Sequence, residues 1–467
     1  MSVRTYFDYV DPVALRSEYP IGEEFMDRFE HMSVDELDSL RQARFARAME
    51  LAWRTPFYRR VWSAHGIEAG DVRSLEQLSV LPVIDKSDLQ ASIEAFPPYG
   101  EMLLDSDNDG PVPSIMQTTS GTTGTPQPVL FGPRSREIQN VLLARSLFLQ
   151  GLRDDDVVHS VYGFGMVNGG HYVREAISQY TRARLLSAGT GLETRSDEQI
   201  RIMVRFGATV LAGFGDYLRR LADLAVEQDV VIGRDLPLRM LSGAFSRDTK
   251  ESLSKAWGGV PAYNWYGIAD TGVIAAEGPE TEGLVVWDDA QVVEIVSADP
   301  DHRPLPDGET GDLVVTCLFK DDLYPIIRFN THDLSAVVGT ACGELPFRRI
   351  AGFLGRSDNM VKVKGINVYP DSVGTVLAGD QAFTGEYVCI VHRHGDEVRS
   401  FEVLVEAAPG AVSTEEVGRR LRDRLGVTVG VTLVGPGETA NMTELGLRQK
   451  PRRLVVRESS DNESASS

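Results

Sequence analysis

Residues 118–126 read Thr-Thr-Ser-Gly-Thr-Thr-Gly-Thr-Pro, a short segment in which hydroxyl side chains surround two glycines. Glycine adopts positive φ without strain and lets the backbone approach a ligand closely. Successive N–H groups and hydroxyls can then converge on an anion such as a polyphosphate. No Gly-Lys-Ser/Thr follows at the spacing of a Walker-type loop. The segment predicts a phosphate-binding loop, with an ordinary flexible surface loop as the alternative.

The composition is that of a soluble acidic protein. The chain has 467 residues, and its 47 Lys and Arg against 68 Asp and Glu give a net charge of −21. The length predicts about two to four domains, and the acidic excess argues against nucleic-acid or anionic-membrane binding. No apolar run is long enough to span a bilayer, and the N-terminus lacks the apolar core of a signal peptide. We therefore expect a cytoplasmic protein with no membrane or nucleic-acid partner.

The three cysteines, Cys317, Cys342 and Cys389, are widely separated and odd in number. Neither a disulfide framework nor a four-cysteine zinc site can be built from them. We expect them in or near the core.

Strand-like and helix-like segments alternate along the chain after the loop. This alternation predicts a largely parallel sheet covered by helices. Ligands in such sheets lie beyond the carboxyl ends of the strands. Four predicted strands end in glycine or aromatic residues, at 162–165, 213–215, 242–245 and 266–267. We expect these endings to share one cleft.

The remaining segments complete an α/β fold with two domains. Residues 22–65 are predicted helical, with Ser33 and Glu36 as a capping box. Residues 283–350 have a β pattern, and past residue 355 a smaller α+β pattern begins. We predict a large multi-sheet N-terminal domain with parallel αβ layers over 1–355. A small mobile α+β domain over 356–457 and a disordered tail over 458–467 would follow.

Six segments appear in a characteristic order: the loop, 266–270, 328–333, 355–358, 364–370 and Lys450. This set resembles the adenylate-forming superfamily of acyl-CoA synthetases, peptide-synthetase adenylation domains and luciferases. Within it, residues 55–59, 162–165 and 358–360 are similar to patterns of the phenylacetate–CoA ligase branch. The resemblance covers about residues 25–457. It implies that a carboxylate attacks the α-phosphate of MgATP, and that a thiol, usually that of CoA, intercepts the resulting adenylate.

The resemblance implies a role for each matching residue. For the ATP phosphates the matching residues are Thr119, Ser120, Gly121, Thr122, Thr123 and Gly124. For the adenine and its surroundings they are Ala244, Phe245, Asn264, Trp265, Tyr266 and Gly267. For the ribose and α-phosphate they are Asp333, Phe353 and Arg356. Asp270 would hold Mg²⁺ and Lys450 would neutralise charge during adenylation, so these two are the predicted catalytic residues.

Three further positions match the part of the family that moves between the two half-reactions. Asp358 aligns with the hinge of the small domain, and Lys364 and Gly365 would face the thiol's access route. Each assigned charge has a plainer interpretation: a solvated or capping Asp270, a surface ion pair for Asp333 and Arg356, and a solvated basic turn at Lys450.

The acid is predicted to bind beyond the strand ends, among Tyr162, Phe164, Met166, Gly170, His171, Phe214 and Gly215. Aromatic walls with glycine floors suit a flat aryl acid. His171 and Asn168 carry groups that could hydrogen-bond hydroxyl or amino substituents of a ring, which favours phenylacetate or a hydroxy- or aminobenzoate. A structural histidine is the alternative for His171.

Several positions depart from the family pattern. Thr125 stands where the loop usually has lysine, which should raise the KM for ATP. Asp270 replaces a glutamate, His332 a glycine, and Phe245-Ser246 a Glu-Pro pair. Gln449 stands before Lys450 where glycine is usual. Some relatives have a cysteine cluster near Cys342, and its absence here predicts no zinc.

The sequence therefore predicts an ATP-dependent, AMP-forming aryl-acid ligase that uses ATP, Mg²⁺ and CoA, specialised for secondary metabolism. Transfer to a carrier-protein thiol or an amine is one alternative. A catalytically impaired adenylate-binding protein is another, and adenylylation of a hydroxyl is a third. The sequence does not determine the oligomeric state, and a homodimer is one alternative.

Overall fold

The computed structural model describes residues 4–458 except for a set of short gaps. These gaps are 105–111, 120–126, 246, 280, 340–344, 360, 364–365, 378–379, 381, 395–396 and 445–451. The chain divides into two compact units. The N-terminal unit comprises Met1–Ser246, Leu253–Thr331 and Ser335–Phe353, and the C-terminal unit comprises Arg247–Ser252, His332–Leu334 and Leu354–Ser467. Within the described ranges, no helix is both long enough and apolar enough to cross a bilayer.

Helices dominate the first hundred residues. They are α1 (Pro12–Glu18), α2 (Glu23–Glu30), α3 (Val34–Arg54), α4 (Pro56–Ala64) and α5 (Lys86–Ala95). The capping box predicted at the start of α3 is present, because Ser33 Oγ accepts from Glu36 N at 3.2 Å and Glu36 Oε2 accepts from Ser33 N at 2.9 Å. Thr55 is extended, with ψ of 134°, which ends α3 and lets Pro56 begin α4.

The phosphate-loop segment lies between two strands of an antiparallel hairpin. The strands are β1 (Ile115–Thr118) and β2 (Pro128–Phe131), and Thr118 pairs with Pro128. Helix α6 (Pro133–Leu149) follows directly. Neither the hairpin nor α6 was predicted from the sequence.

A nine-stranded sheet forms the centre of the N-terminal unit. Its strands are β3 (Val157–Ser160), β4 (Arg184–Ser187), β5 (Val210–Ala212), β6 (Met240–Gly243), β7 (Ala262–Ile268), β8 (Gly272–Ala276), β9 (Leu284–Val286), β13 (Val337–Gly339) and β14 (Arg349–Ile350). The spatial order is β13-β14-β9-β8-β7-β6-β5-β3-β4. Neighbours from β4 to β7 are parallel, as predicted, and the others are antiparallel.

The connections between the parallel strands are helical. They are α7 (Asn168–Tyr180), α8 (Ser196–Phe206), α9 (Gly215–Glu227) and α10 (Arg247–Ala256). A separate three-stranded sheet contains β10 (Gln291–Val296), β11 (Gly311–Cys317) and β12 (Phe329–Ser335), in that order. The β pattern predicted for residues 283–350 is thus confirmed. The predicted α/β class is confirmed with it.

Helix α6 is buried almost along its whole length, including its charged residues Arg136, Glu137 and Arg145. Arg145 donates to both carboxylate oxygens of Asp289, at 2.9 and 3.0 Å, and Arg44 donates to Asp289 Oδ2 at 3.1 Å. Buried charges of this kind are tolerated only when they are paired. The helix therefore has no polar face that is exposed to solvent. The amphipathic pattern that marks surface helices is missing from its sequence.

The C-terminal unit has its own small core. Its strands are β15 (Val361–Val363), β16 (Ile366–Val368), β17 (Phe383–His394), β18 (Glu397–Ala407), β19 (Gly430–Val434) and β20 (Leu454–Glu458), and its helices are α11 (Ser372–Leu377), α12 (Thr414–Leu425) and α13 (Ala440–Thr443). Strands β17 and β18 pair antiparallel, with Tyr387 opposite Val405. The predicted apolar stripe of α12 is buried, and Ser413 Oγ caps the helix.

Candidate active site

The carboxyl ends of the parallel strands carry an aromatic cluster. Tyr162, which follows β3, is 1% exposed and packs edge-on against Phe214, with ring centroids 4.9 Å apart. Its ring centroid lies 5.9 Å from that of Trp265 on β7, and Trp265 lies 5.9 Å from Tyr172 on α7. Aromatic rings at these separations attract one another. The structure therefore brings together Tyr162 and Phe214 of the predicted acid pocket and adds Trp265, which was predicted on the adenine side.

The turn after Tyr162 is fastened to α7. His171 lies on α7, and its Nε2 donates to Gly165 O at 2.8 Å, since a carbonyl can only accept. The rings of Phe164 and His171 are 6.1 Å apart. Met166 is 50% exposed. The hydrogen bond to Gly165 agrees with the alternative interpretation of His171 as a structural histidine. His171 also lies beside Phe164 of the predicted pocket.

Two residues predicted to face the acid have other surroundings. A Cβ added to Gly170 would lie 2.0 Å from Gly163 O. This glycine therefore lets α7 approach the turn closely, and there is no open space at its side-chain position for a substrate. Asn168 is buried, and its amide accepts from Arg136 Nη1 at 2.6 Å and donates to Gln139 Oε1 at 2.8 Å. A substrate would have to break these bonds to use Asn168. The suggested contact between Asn168 and a ring substituent is therefore not supported.

Asn264 was predicted to contact the adenine, and in the structure its amide is bonded to the main chain of Phe245. Its Oδ1 accepts from Phe245 N at 3.0 Å, and its Nδ2 donates to Phe245 O at 2.7 Å. This pair of bonds connects the segment after β6 to β7. Asn264 therefore fixes the position of the predicted adenine segment.

The other residues of that segment occupy the ends of β6 and β7. Phe245 and Tyr266 are buried, whereas Ala244 and Gly267 are partly exposed. A Cβ on Gly267 would lie 2.4 Å from Gly272 O, so only glycine fits this close approach of β7 and β8. Gly215, predicted in the acid pocket, is the first residue of α9.

Asp270 lies in the turn between β7 and β8 and is buried. Its Oδ1 accepts from Gln127 Nε2 at 3.3 Å, and its main-chain O accepts from Lys320 Nζ at 3.0 Å. Burial raises the pKa of the Asp270 carboxyl, and the ammonium groups of Lys320 and Lys86 oppose this rise. Burial also lowers the pKa of Lys320, to about 8. Asp270 is thus a buried carboxyl with lysine ammonium groups nearby. The alternative interpretation of Asp270 as a solvated surface residue does not agree with this burial.

The base of the predicted phosphate loop is described although residues 120–126 are not. Thr119 N donates to Gln127 O at 3.1 Å, which closes the hairpin, and Thr118 N donates to Met166 O at 2.7 Å. The atoms Gln117 Oε1, Thr119 Oγ1 and Gln127 Oε1 are buried without a hydrogen-bond partner among the described residues. Buried polar atoms are rarely left unsatisfied in native proteins. These atoms therefore mark a place where polar groups of the loop or of a ligand belong.

The residues around Asp270 suit a magnesium ion that is bound together with nucleotide phosphates. No group of three or more Asp, Glu, His or Cys side chains that could hold a metal occurs within the described ranges. Mg²⁺ usually takes one or two carboxylates from the protein and completes its shell with phosphates and water. One buried carboxylate next to a polar loop base meets that requirement.

In the C-terminal unit, Arg356 joins two carboxylates. Its Nη1 donates to Asp333 Oδ1 at 2.8 Å, and its Nε and Nη2 donate to the two oxygens of Asp358 at 2.8 and 2.5 Å. The predicted ribose pair and the predicted hinge residue are therefore one hydrogen-bonded group. Arg356 and Asp333 form an ion pair, as the alternative interpretation of these residues predicted. The Asp333 side chain is mostly buried, so the pair is not fully exposed at the surface.

His332 replaces a family glycine, and the backbone explains why glycine is usual there. The φ of His332 is 56°, in the left-handed region that glycine adopts without strain. Histidine is among the residues that tolerate this region best. The main-chain O of His332 accepts from Ser357 N at 2.8 Å, which connects β12 to the segment after Gly355.

Several predicted site residues lie outside the described residues. They are Ser120, Gly121, Thr122, Thr123, Gly124, Lys364, Gly365 and Lys450, together with the departures at Thr125 and Ser246 and the third cysteine, Cys342. Of the other cysteines, Cys317 and Cys389 are free and buried, as predicted. Phe353 is described and is 37% exposed.

Comparison with known families decides the relationship. The profile described as "AMP-binding enzyme" matches residues 66–317, more than half of the chain, and that of the AMP-binding enzyme C-terminal domain matches residues 365–450. The chain belongs to the AMP-binding enzyme family. The predicted place in the adenylate-forming superfamily, in the phenylacetate–CoA ligase-like branch, is confirmed.

Individual relatives of this AMP-binding enzyme match over most of their length. A phenylacetate-coenzyme A ligase of Thermus thermophilus is 28% identical over 450 residues, covering 89% of this chain and 96% of the relative. One from Pseudomonas putida is 29% identical over 408 residues, covering 85% and 88%. A crystal structure of 2-hydroxyisobutyryl-CoA ligase with 2-HIB-AMP has a TM-score of 0.79 at 24% identity, covering 97% of this chain and 95% of that one, and this likeness concerns the fold.

Sequence reasoning missed two residues of the site, Gln127 and Lys320. Gln127 follows the quoted loop directly, and its place at the closing pair of a hairpin could have been inferred from β1 and β2 had those strands been predicted. Lys320 lies in the apolar context Leu318-Phe319-Lys320, a sequence in which a single lysine gives no sign of its contacts.

Proposed function

We propose that this AMP-binding enzyme is an ATP-dependent, AMP-forming acid–CoA ligase that acts on an aryl acid of the phenylacetate or hydroxy- or aminobenzoate type. Family membership and two relatives named phenylacetate-coenzyme A ligase support acid–CoA ligation. The observation that carries the aryl preference is the contact of Tyr162 with Phe214 and Trp265 at the strand ends. Tyr162 and Trp265 are buried, so the partly exposed ring of Phe214 is the one against which the flat ring of an acid would pack.

The proposed chemistry needs no covalent enzyme intermediate. The acid's carboxylate attacks the α-phosphorus of ATP, the bond to the β-phosphate oxygen breaks, and pyrophosphate leaves. The CoA thiol then attacks the acyl carbon, and AMP leaves with the bonding electron pair. Catalysis consists of positioning and of electrostatic stabilisation of charge on the phosphate and acyl oxygens.

The described residues support the first of these steps. Asp270 would hold Mg²⁺, which when bound neutralises charge on the ATP phosphates. The hairpin base at Thr119 and Gln127 would present the loop, Asn264 would fix the adenine segment through Phe245, and Asp333 would accept from ribose hydroxyls. Arg356 donates to Asp333 and so keeps that carboxylate oriented.

The biological setting is also part of the proposal. The departures at Thr125, His332 and Phe245-Ser246 support a specialised ligase of secondary metabolism over a housekeeping one. The buried free cysteines Cys317 and Cys389 are in keeping with a reducing cytoplasm.

The test is acid-dependent ATP–pyrophosphate exchange by the full chain, across phenylacetate, hydroxybenzoates, aminobenzoates and 2-hydroxyisobutyrate. We expect exchange with at least one aryl acid, and AMP release with that acid to require CoA. Exchange with 2-hydroxyisobutyrate alone would refute the aryl preference. AMP release driven by a carrier protein or an amine, with no CoA dependence, would support that alternative. ATP binding without exchange for any acid would favour an impaired adenylate-binding protein, and a stable AMP ester of an alcohol would indicate hydroxyl adenylylation.

The proposed role of Lys450 separates the two half-reactions. We expect Lys450→Ala to lower exchange by about a hundredfold or more, because one charge-stabilising donor is typically worth that much. Transfer to CoA from a chemically prepared acyl-adenylate should persist within about twofold, since the lysine is assigned to adenylation alone. Lys362→Ala, which removes an exposed lysine of β15, is the control. Equal rates of both half-reactions in wild type and Lys450→Ala would show that Lys450 has been misassigned.

A further inference from the structure

Lys320 is a fully buried lysine that lies outside the six segments that carry the family resemblance. It is 0% exposed, on the segment that follows β11. Removing an ammonium group from water is costly unless other groups replace its hydration. The contacts of Lys320 should therefore show why the chain keeps a charge at this position.

Those contacts join two segments that the proposed function requires side by side. Nζ donates to the main-chain O of Asp270 at 3.0 Å. It also lies over two aromatic rings, 4.2 Å from the centroid of Phe131 and 4.8 Å from that of Tyr324. Cation–π contacts of this length are strengthened when the cation is desolvated. Phe131 is the last residue of β2, the strand that leads away from the phosphate loop.

The same turn is held from the loop side. Gln127 Nε2 donates to Asp270 Oδ1, and Gln127 O accepts from Thr119 N, so the hairpin base is bonded to the proposed metal carboxylate. Lys320 fixes the main chain of Asp270, and Gln127 fixes its side chain. A carboxylate held at both points loses little freedom when it binds a cation, which lowers the entropic cost of assembling the site.

We infer that Lys320 is a positioning residue for adenylation, which holds the Asp270 turn against the β1–β2 hairpin and so keeps the Asp270 carboxylate in place to bind the Mg²⁺ of MgATP. This inference rests on the proposed function for its chemistry. The role differs from that of Lys450, because Lys320 acts through Asp270 and does not touch the reacting atoms.

The test compares wild type with Lys320→Met, which keeps the length of the side chain and removes its charge. We expect pyrophosphate exchange to fall at least tenfold and the Mg²⁺ concentration for half-maximal exchange to rise several-fold, because the carboxylate is no longer held. Calorimetric ATP binding at stepped Mg²⁺ should show the same shift, with a several-fold higher Mg²⁺ concentration needed for half-maximal ATP binding. Transfer to CoA from a prepared acyl-adenylate should stay within about twofold, and the thermal midpoint should not fall.

A second pair of variants keeps the inference testable if Lys320→Met does not fold. Tyr324→Leu removes one ring face from the ammonium group, and Tyr324→Phe retains it as the matched control. We expect Tyr324→Leu to shift the Mg²⁺ requirement in the same direction by a smaller factor, and Tyr324→Phe to match wild type.

The outcomes distinguish this inference from the proposed function. Unchanged exchange and Mg²⁺ dependence in folded Lys320→Met would overturn the role of Lys320 and leave the ligase proposal intact. Equal losses in adenylation and transfer, with a lowered thermal midpoint, would also overturn it, since they would show general destabilisation. A wild-type chain without exchange would refute the ligase proposal, and the calorimetric comparison would then decide on Lys320 alone.

Discussion

Side chains of the same chemical type have different surroundings at the candidate site. Asn264 and Asn168 have the amide chemistry expected of ligand contacts, yet both are bonded to neighbouring protein groups. Asp333 and Asp270 keep carboxylates that are buried and held by a cation or an amide. A buried amide must satisfy its donors and acceptors within the protein, so residue type alone cannot separate a ligand contact from a support.

At this scale, the ribose assignment can be tested with Asp333→Ala. We expect ATP affinity to fall about tenfold to a hundredfold, because hydrogen bonds to a charged acceptor are worth ~1.5–3 kcal/mol. Equilibrium binding of ATP measures the effect. Asp380→Ala is a matched control, since Asp380 also pairs with an arginine, Arg420 Nη1, at 2.7 Å. An ATP affinity equal to that of wild type would leave Asp333 with a purely structural ion pair.

His159 on β3 makes the stability of the chain depend on pH. It is buried and contacts Gln199 Oε1 at 3.1 Å, and burial lowers its pKa from 6.5 to about 4. Between these values the unfolded chain binds more protons than the folded one, so stability falls as pH falls. The contribution lost by pH 5 is about 2 kcal/mol.

Urea denaturation midpoints at pH 7 and pH 5 check this expectation. His159→Gln should lose less stability than wild type over that interval, because the titrating group is gone. His31→Gln, at an exposed position, should behave like wild type. The same acid-induced loss in wild type and His159→Gln would contradict the assignment.

Among the elements, α6 and α7 determine how the strand ends are covered. Helix α6 carries Arg136, whose Nη1 bonds Asn168 at the start of α7, and Arg136 Nε bonds Glu175 Oε2 at 2.8 Å. Gly170 then brings α7 against the turn after Tyr162. The packing of α7 thus helps to set the edge of the predicted acid pocket, next to the turn that follows β3.

Adjacent glycines of α7 provide a matched pair for this idea. A Cβ at Gly170 would lie 2.0 Å from Gly163 O, whereas at Gly169 the nearest atom, Tyr162 Cδ1, would be 3.9 Å away. We expect Gly170→Ala to destabilise the chain by ~1–3 kcal/mol through overpacking and to raise the KM for the acid. Gly169→Ala should be neutral or stabilising by up to about 1 kcal/mol, because alanine favours helix. Denaturation and exchange kinetics measure both, and identical behaviour of the two variants would contradict the close-approach argument.

For the molecule as a whole, each unit has a core of its own. The core of the C-terminal unit includes Val403 and Val405 on β18 with Val417 and Leu421 on α12. A unit with a separate core can move as a body, and domain motions between half-reactions are a common way to use one site twice.

The hinge assignment predicts that Asp358→Pro blocks one half-reaction. Proline fixes φ near −65° and removes an N–H, so the backbone at this position loses its freedom to rotate. Asp358→Ala is the control, because it removes the same bonds to Arg356 and keeps the backbone free. We expect exchange and CoA transfer, assayed separately, to show one step lost in Asp358→Pro and both retained in Asp358→Ala. Overall turnover at the wild-type rate in Asp358→Pro would rule out the hinge.

Local patterns in the sequence were sufficient for most elements and for the family. The alternation of strands and helices over 157–266, the capping box at Ser33, the N-cap at Ser413 and the stripe of α12 are short-range features, and each was found where predicted. The pairing of residues 387–391 with 401–405 also follows from apolar segments on either side of a short connection. Physical forces that act within one helix or hairpin leave their pattern in neighbouring residues.

Only the tertiary structure decided how the site is supported. Gln127 and Asp270 are 143 residues apart, and Lys320 and Asp270 are 50 apart, yet they form one hydrogen-bonded group. Helix α6 escaped prediction because burial on all sides removes the amphipathic pattern. The sequence by itself determined the fold class and the family, since both follow from local patterns and ordered motifs. The partners of its buried polar groups were decided by long-range packing, because a polar side chain removed from water bonds whichever group the fold places beside it.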